Sequence, residues 1–146
     1  HVRASARPDR GGAVNRRLFF SSATPSHATP KALYADLDAE FHFDFDPCPL
    51  RDAPSFDGKA LSWTARRVFC NPPYGRTVGE WLAKAREAEL AVYLLPARTD
   101  TAWWHDHALQ ADEIRFIRGR LRFSGLQKGA PFPSVLVIYR RTTEEP

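Results

Sequence analysis

Arg67-Val68-Phe69-Cys70-Asn71-Pro72-Pro73-Tyr74-Gly75 is the stretch on which the reading of the fold turns. Residues 67–70 predict a short strand, stopped by Pro72-Pro73 because each proline fixes φ and removes a backbone donor. A helix should open just beyond. Thr77-Val78-Gly79-Glu80 has the pattern of a capping box, in which hydroxyl and carboxylate each satisfy an orphan backbone N–H. Trp81, Leu82, Ala85 and Ala88 then supply apolar positions near helical spacing. Ala91-Val92-Tyr93-Leu94-Leu95, ended by Pro96, is a continuous apolar run and predicts a buried parallel strand.

The same alternation extends outward. Before this unit, Thr29 is a candidate N-cap with Pro30 at the first helical position, where its missing N–H is harmless. Leu33, Leu37 and Phe41 recur at helical spacing, and Phe41-His42-Phe43-Asp44-Phe45-Asp46 alternates as a strand does. Pro47, Pro49 and Pro54 break the next stretch into a loop. After the unit, a third helix is expected over 101–111, strands over 114–117 and 121–123, and a final Val- and Ile-rich strand over 134–139. Strands alternating with helices imply a layered α/β sheet.

Size and composition bound the rest. A chain of 146 residues reads as one domain, and 43% apolar residues suit a globular protein. The formal charge is +4 and the pI about 9.4, a balance that suits a polyanionic partner without proving one. No apolar run approaches the roughly 20 residues that span a bilayer, so no membrane partner is expected. Residues 1–17 hold Arg3, Arg7, Arg10, Arg16, Arg17 and Gly11-Gly12, and read as a flexible basic arm, either a leader without a role or a weak phosphate tether. That start lacks the apolar stretch of a signal peptide. The chain opens on His1 and has no methionine, so a trimmed form is expected. Cys48 and Cys70 form no CxxC pair and point to a reducing, cytoplasmic setting rather than a disulfide framework. His105-Asp106-His107 matches no structural zinc pattern, so no metal is expected.

The Asn71 to Tyr74 loop lies after a strand and before a helix, and ligands of open α/β sheets bind at the carboxyl ends of strands. Its chemistry suits an exocyclic amine such as that of adenine, whose lone pair is delocalised into the ring. Two acceptors set against the N–H groups favour a pyramidal, more nucleophilic nitrogen. The Asn71 side-chain oxygen and the Pro72 carbonyl can be those acceptors, with Pro72-Pro73 keeping the loop stiff. Tyr74 offers a face for a base extruded from the duplex, a contact worth roughly 1–3 kcal/mol. A plain proline-rich turn would use the same four residues.

Several segments, in order, carry a family resemblance: Ala28-Thr29-Pro30, Phe41 to Cys48, Asp57-Gly58 with Trp63, Phe69 to Gly75, Trp81-Leu82, Leu94 to Thr101, Trp103-Trp104-His105, Ile117 to Phe123, and Pro131-Phe132-Pro133-Ser134. Over roughly 18–139 the chain resembles the phage-type DNA N6-adenine methyltransferase (Dam-like) family. The resemblance implies a Rossmann-like, compact methyltransferase fold over 18–146, with a mostly parallel sheet flanked by helices. It implies S-adenosylmethionine as methyl donor, adenine in double-stranded DNA as acceptor with the base flipped out, and a phage-infected or bacterial cytoplasm. Asn71, Pro72, Pro73 and Tyr74 would be catalytic. Asp46 and Pro47 would border the cofactor, Thr29 and Pro30 its methionine end, with Phe20 and Asp57 as further contacts. Asp57 is equally the start of an ordinary Asp-Gly turn.

The chain departs from the family pattern in three places. Pro47-Cys48-Pro49 stands where a glycine-rich loop is usual, His27 where tryptophan is expected, and the interval from Asp46 to Asn71 is short. Arg118, Arg120 and Arg122, with Arg76, Arg98 and Lys128, can line a DNA groove or simply form a solvated basic face. Trp103-Trp104 is expected to pack in the core. Other acceptors (cytosine N4, RNA adenine, a glutamine amide) and a non-catalytic DNA-binding module on the same scaffold are the competing readings.

Overall fold

The structure, a computed structural model, describes residues 28–49, 57–123 and 129–141. Phe20, Lys128 and the basic arm over 1–17 lie outside the described residues. Among the described residues, four strands, β1 (Arg67–Cys70), β2 (Leu90–Pro96), β3 (Glu113–Phe116) and β4 (Ser134–Arg140), form one sheet in the order β1-β2-β4-β3. β1 runs parallel to β2, whereas β4 is antiparallel to both β2 and β3. Phe45 adds a parallel bridge to Val68 outside β1.

The pairing corrects the expectation of a mostly parallel sheet. The sheet is mixed, because β4 inserts antiparallel between β2 and β3. Nothing in the β2 run forecasts that. A strand buried on both faces reads alike whatever the direction of its neighbours. The reversal has a consequence for function: β1, β2, β3 and the Phe45 segment all point the same way. Their carboxyl ends share one edge, and β4 starts there, with Ser134 opposite Pro96.

Side chains alternate along strands, so the register sorts the core into two faces. Phe69, Val92 and Ile138 are aligned on one. The helix α1 (Lys31–Phe41) covers it with Leu33, Leu37 and Phe41, and Tyr34 meets Phe69 edge-on at 5.2 Å. Cys70, Tyr93 and Val137 are aligned on the other face. There lie α2 (Val78–Ala83), which runs into a 3-10 turn at Lys84–Glu87, and α3 (Ala102–Asp106), followed by another at Ala108–Gln110. The Tyr93 hydroxyl donates to the Trp81 carbonyl at 2.7 Å and the Tyr139 hydroxyl to that of His107 at 2.7 Å. Trp63 fills the space between Trp81 and Tyr93. Every residue of β2 is buried; each such aliphatic side chain contributes about 1.5–3 kcal/mol. Trp104 is buried and Trp103 packs against the core, as expected of that pair.

Local signals fared unevenly. Thr101 caps α3, its hydroxyl accepting from Trp104 N–H, but the expected helix over 101–111 changes to 3-10 after His107. Thr77 makes no side-chain cap, and the Glu80 carboxylate goes instead to Lys59 Nζ at 3.1 Å, so the capping box is not formed. Pro30, not Thr29, occupies the cap position of α1. The alternating stretch 41–46 yields only the Phe45 bridge, because Phe41 still belongs to α1 and His42 turns left-handed at φ 55° to end it. Residues 121–123 are not a strand; a turn with Gly119 at φ +76° follows β3. No helix among the described residues is long and apolar enough to cross a membrane.

Arg115 of β3 ties α1 to the sheet. Its guanidinium donates to both oxygens of Glu40 at 2.8 and 2.7 Å and to Glu113 at 2.7 Å, and Arg140 adds a bond to Glu113 at 2.9 Å. Hydrogen bonds from Arg115 hold the Glu40 and Glu113 carboxyls below their usual pKa. A depressed folded-state pKa stabilises above the unfolded value, and that stability is lost as pH falls through the folded value. Arg115→Ala should therefore lower stability at neutral pH by about 0.5–1 kcal/mol, a modest figure because these groups are solvent-screened. Urea unfolding at pH 7 and at pH 3 checks this: the gap between variant and wild type should shrink in acid.

Candidate active site

Asn71 follows the last residue of β1, so the loop it begins leaves the sheet at the shared carboxyl edge. Three other segments arrive there: 46–48 after the Phe45 bridge, 97–100 after β2, and 131–133 before β4. Asn71 is 6% exposed and its carboxamide is held from both ends. Nδ2 donates to the Thr29 hydroxyl at 3.0 Å, and Oδ1 accepts from the Tyr74 hydroxyl at 2.8 Å. The hydroxyl that resembled a helix cap is thus spent on the loop. Thr29 and Asn71 are 42 residues apart in the chain, and the fold brings the start of α1 to the end of β1.

Tyr74 lies deeper than a base-stacking platform should. It is 4% exposed. Phe123 and Phe132 meet its ring nearly edge-on, at 6.4 and 5.7 Å. Its hydroxyl also lies 3.2 Å from the Leu94 carbonyl. Burial pushes the phenol pKa well up, so it stays protonated and acts as a donor. Pro72 is buried too, which keeps the loop stiff. Burial raises the Cys48 thiol to about 12 and the Cys70 thiol well above its ordinary value. Neither is a thiolate at neutral pH, so neither is a nucleophile.

Of the candidate cofactor residues, Thr29 bonds directly to this loop, and Asp46 and Asp57 lie in two turns that pack against each other. Asp46 Oδ1 accepts from Cys48 N–H at 3.0 Å and shapes a tight turn around the buried Pro47. Asp57 Oδ1 accepts from Lys59 N–H at 3.0 Å, the ordinary Asp-Gly turn. Gly58 presses on that first turn so closely that a Cβ on it would stand 1.7 Å from the Pro47 carbonyl oxygen.

Arg76, Arg98, Arg118, Arg120 and Arg122 are all exposed. Arg76 follows the loop, Arg98 follows β2 and Arg118 follows β3, which places all three along the carboxyl edge. The three alternating arginines do not sit on a strand, as β3 ends at Phe116. The Arg98 guanidinium lies over the Phe132 ring at 5.4 Å, and Arg120 donates to the Ala130 carbonyl at 3.3 Å. A cleft of about 450 Å³, lined by Leu82, His107, Tyr139 and Arg141 among others, contains none of these candidates. It opens near the other end of β4. Among the described residues, no three His, Cys, Asp or Glu side chains are grouped so that they could hold a metal ion.

The family described as DNA N-6-adenine-methyltransferase (Dam) matches over residues 21–145. The chain belongs to this family. No curated protein and no solved structure matches it. Membership in the DNA N-6-adenine-methyltransferase family makes the reaction class methyl transfer and the partner class DNA. Within this Dam-family domain, sequence reasoning missed Phe123, Phe132 and the Leu94 carbonyl as neighbours of Tyr74. The Pro131-Phe132-Pro133-Ser134 segment was conspicuous, but nothing local says that the approach to β4 carries Phe132 to the Tyr74 ring, 58 residues earlier.

Proposed function

We propose that the protein transfers the methyl group of S-adenosylmethionine to the N6 amine of adenine in DNA, with Asn71, Pro72, Pro73 and Tyr74 as its catalytic loop. The observation that carries this reading is the Asn71 carboxamide, clamped at the carboxyl end of β1 by Thr29 and Tyr74. A rigid acceptor needs no reorganisation when charge develops on the amine. Asn71 Oδ1 and the Pro72 carbonyl accept hydrogen bonds from the two amine N–H groups, draw the nitrogen toward pyramidal geometry and aim its lone pair; once methylated, the nitrogen sheds one proton to solvent. Phe123 and Phe132 cover the Tyr74 ring, so for an extruded adenine to stack on it this aromatic cover has to part. Arg76, Arg98, Arg118, Arg120 and Arg122 hold the phosphate backbone around this entrance and supply salt-dependent affinity rather than sequence choice, with Lys128 a further candidate outside the described residues.

The residues present suit the donor. Asp46 and Asp57 provide carboxylates of the kind that accept from ribose hydroxyls and favour a cationic sulfonium. The Gly58–Pro47 contact makes a compact floor between them. The first turn of α1 has no side-chain cap, so beside Thr29 and Pro30 its amides suit a carboxylate. Phe20, outside the described residues, is a further candidate contact. When bound, S-adenosylmethionine supplies an activated methyl group, and the chain contributes positioning and exclusion of water. The working compartment is the bacterial cytoplasm, with or without a phage.

The deciding experiment is mass spectrometry of nucleosides from unmethylated duplex DNA incubated with the protein and S-adenosylmethionine. N6-methyladenine should appear. Folded protein that binds donor and DNA yet leaves adenine unmodified would overturn the reading; N4-methylcytosine instead would replace the acceptor.

A further inference from the structure

We propose that the Tyr74 hydroxyl is a positioning group for Asn71. It holds the carboxamide oxygen in the resting protein and releases it to the substrate amine by turning its proton to the Leu94 carbonyl. The proposal rests on the adenine N6 reading of the loop. It adds to the stacking role of the ring a separate role for the oxygen attached to it.

The argument starts from proton counting. A phenol carries one O–H, and burial keeps this one protonated. Two acceptors lie within its reach, Asn71 Oδ1 at 2.8 Å and the Leu94 carbonyl at 3.2 Å. The hydroxyl can donate to only one of them at a time. The shorter bond places the proton on Asn71 at rest. That serves a buried amide oxygen, which is costly to leave without a donor. When the adenine amine arrives it brings N–H donors for that same oxygen. The phenol O–H then rotates to Leu94, and every polar group keeps a partner throughout. No proton is transferred between heavy atoms; only the direction of donation changes.

The other end of the amide matters equally. The terminal torsion of asparagine is broad, so a single hydrogen bond leaves the carboxamide plane loosely defined. Thr29 takes Nδ2 and Tyr74 takes Oδ1, and together they fix both atoms. Thr29 stands just before α1 and Leu94 in β2, on either side of the loop. The amide orientation is thus referenced to two separate elements of the fold.

Tyr74→Phe separates the two roles, since it keeps the ring and removes only the hydroxyl. The expected result is a fall in kcat of about tenfold, the scale of one hydrogen bond, with the KM for DNA and the calorimetric affinity for S-adenosylmethionine little changed. Thr29→Val should give a similar kcat loss, and Thr29→Ser should restore it. The carboxamide protons of Asn71, followed by NMR in ¹⁵N-asparagine-labelled protein, should exchange faster in both Tyr74→Phe and Thr29→Val. A Tyr74→Phe enzyme with wild-type kcat and unchanged carboxamide exchange overturns the positioning role and leaves the methyltransferase reading standing. Folded wild-type protein that makes no N6-methyladenine overturns that reading and this proposal with it.

Discussion

Asn71→Ala should lower kcat by about 10²–10³, the scale seen when one preorganised hydrogen-bonding group is removed from an active site. The substitution deletes the acceptor that draws a proton of the substrate amine and leaves only the Pro72 carbonyl. It also leaves the Thr29 hydroxyl and the Tyr74 phenol without their mutual link. Tyr74 retains Leu94 as an acceptor at 3.2 Å, so the ring keeps an anchor and the loop should stay folded. The loss is therefore expected mainly in kcat, with a smaller effect on S-adenosylmethionine binding transmitted through Thr29, to which the carboxamide donates. Single-turnover formation of N6-methyladenine, set beside calorimetric titration with the donor, measures the two separately. Near-full activity in a folded Asn71→Ala protein would remove Asn71 from the chemistry.

Patterns local in sequence predicted the fold well where burial alone decides it. The run from Ala91 to Leu95 became the fully buried β2, and Leu33, Leu37 and Phe41 became the buried stripe of α1. Family membership was legible as well, since the family match agrees with the resemblance read from the ordered motifs. What was not legible depends on contacts distant in the chain. The direction of β4 is set by its return from β3, and a doubly buried strand carries no mark of it. Thr29 and Glu80 looked like caps because a hydroxyl or carboxylate before a helix usually is one. Each found a better partner elsewhere, Asn71 and Lys59 respectively. The depth of Tyr74 is of the same kind, since Phe123 and Phe132 arrive from beyond β3.

Gly58→Ala should cost about 3 kcal/mol of stability, the upper end for overpacking a well-filled site. The built Cβ would meet the Pro47 carbonyl oxygen at 1.7 Å and its carbon at 2.5 Å. Both are backbone atoms, so no rotamer change relieves the clash and the two turns must part. Parting them strains the bond from Trp63 Nε1 to the Gly58 carbonyl, 3.0 Å long and buried. It also shifts Trp63, which packs on Trp81 and Tyr93 at the centre of the core. For a domain of this size the expected fall in Tm is roughly 10 °C. Because the Asp46 turn moves with Pro47, affinity for S-adenosylmethionine should fall as well, even below the melting temperature. Gly79→Ala is the contrast that isolates the cause. Gly79 lies within α2, and its nearest neighbour to an added Cβ is a His107 ring atom at 3.5 Å, ordinary contact. Alanine there should be neutral or stabilising by up to about 1 kcal/mol, because helical glycine carries an entropic penalty. Thermal melts of the two variants, with donor titrations below the transition, test both signs at once. If Gly58→Ala melts with the wild type and binds donor equally well, the Gly58–Pro47 contact is not what shapes the cofactor side of the edge.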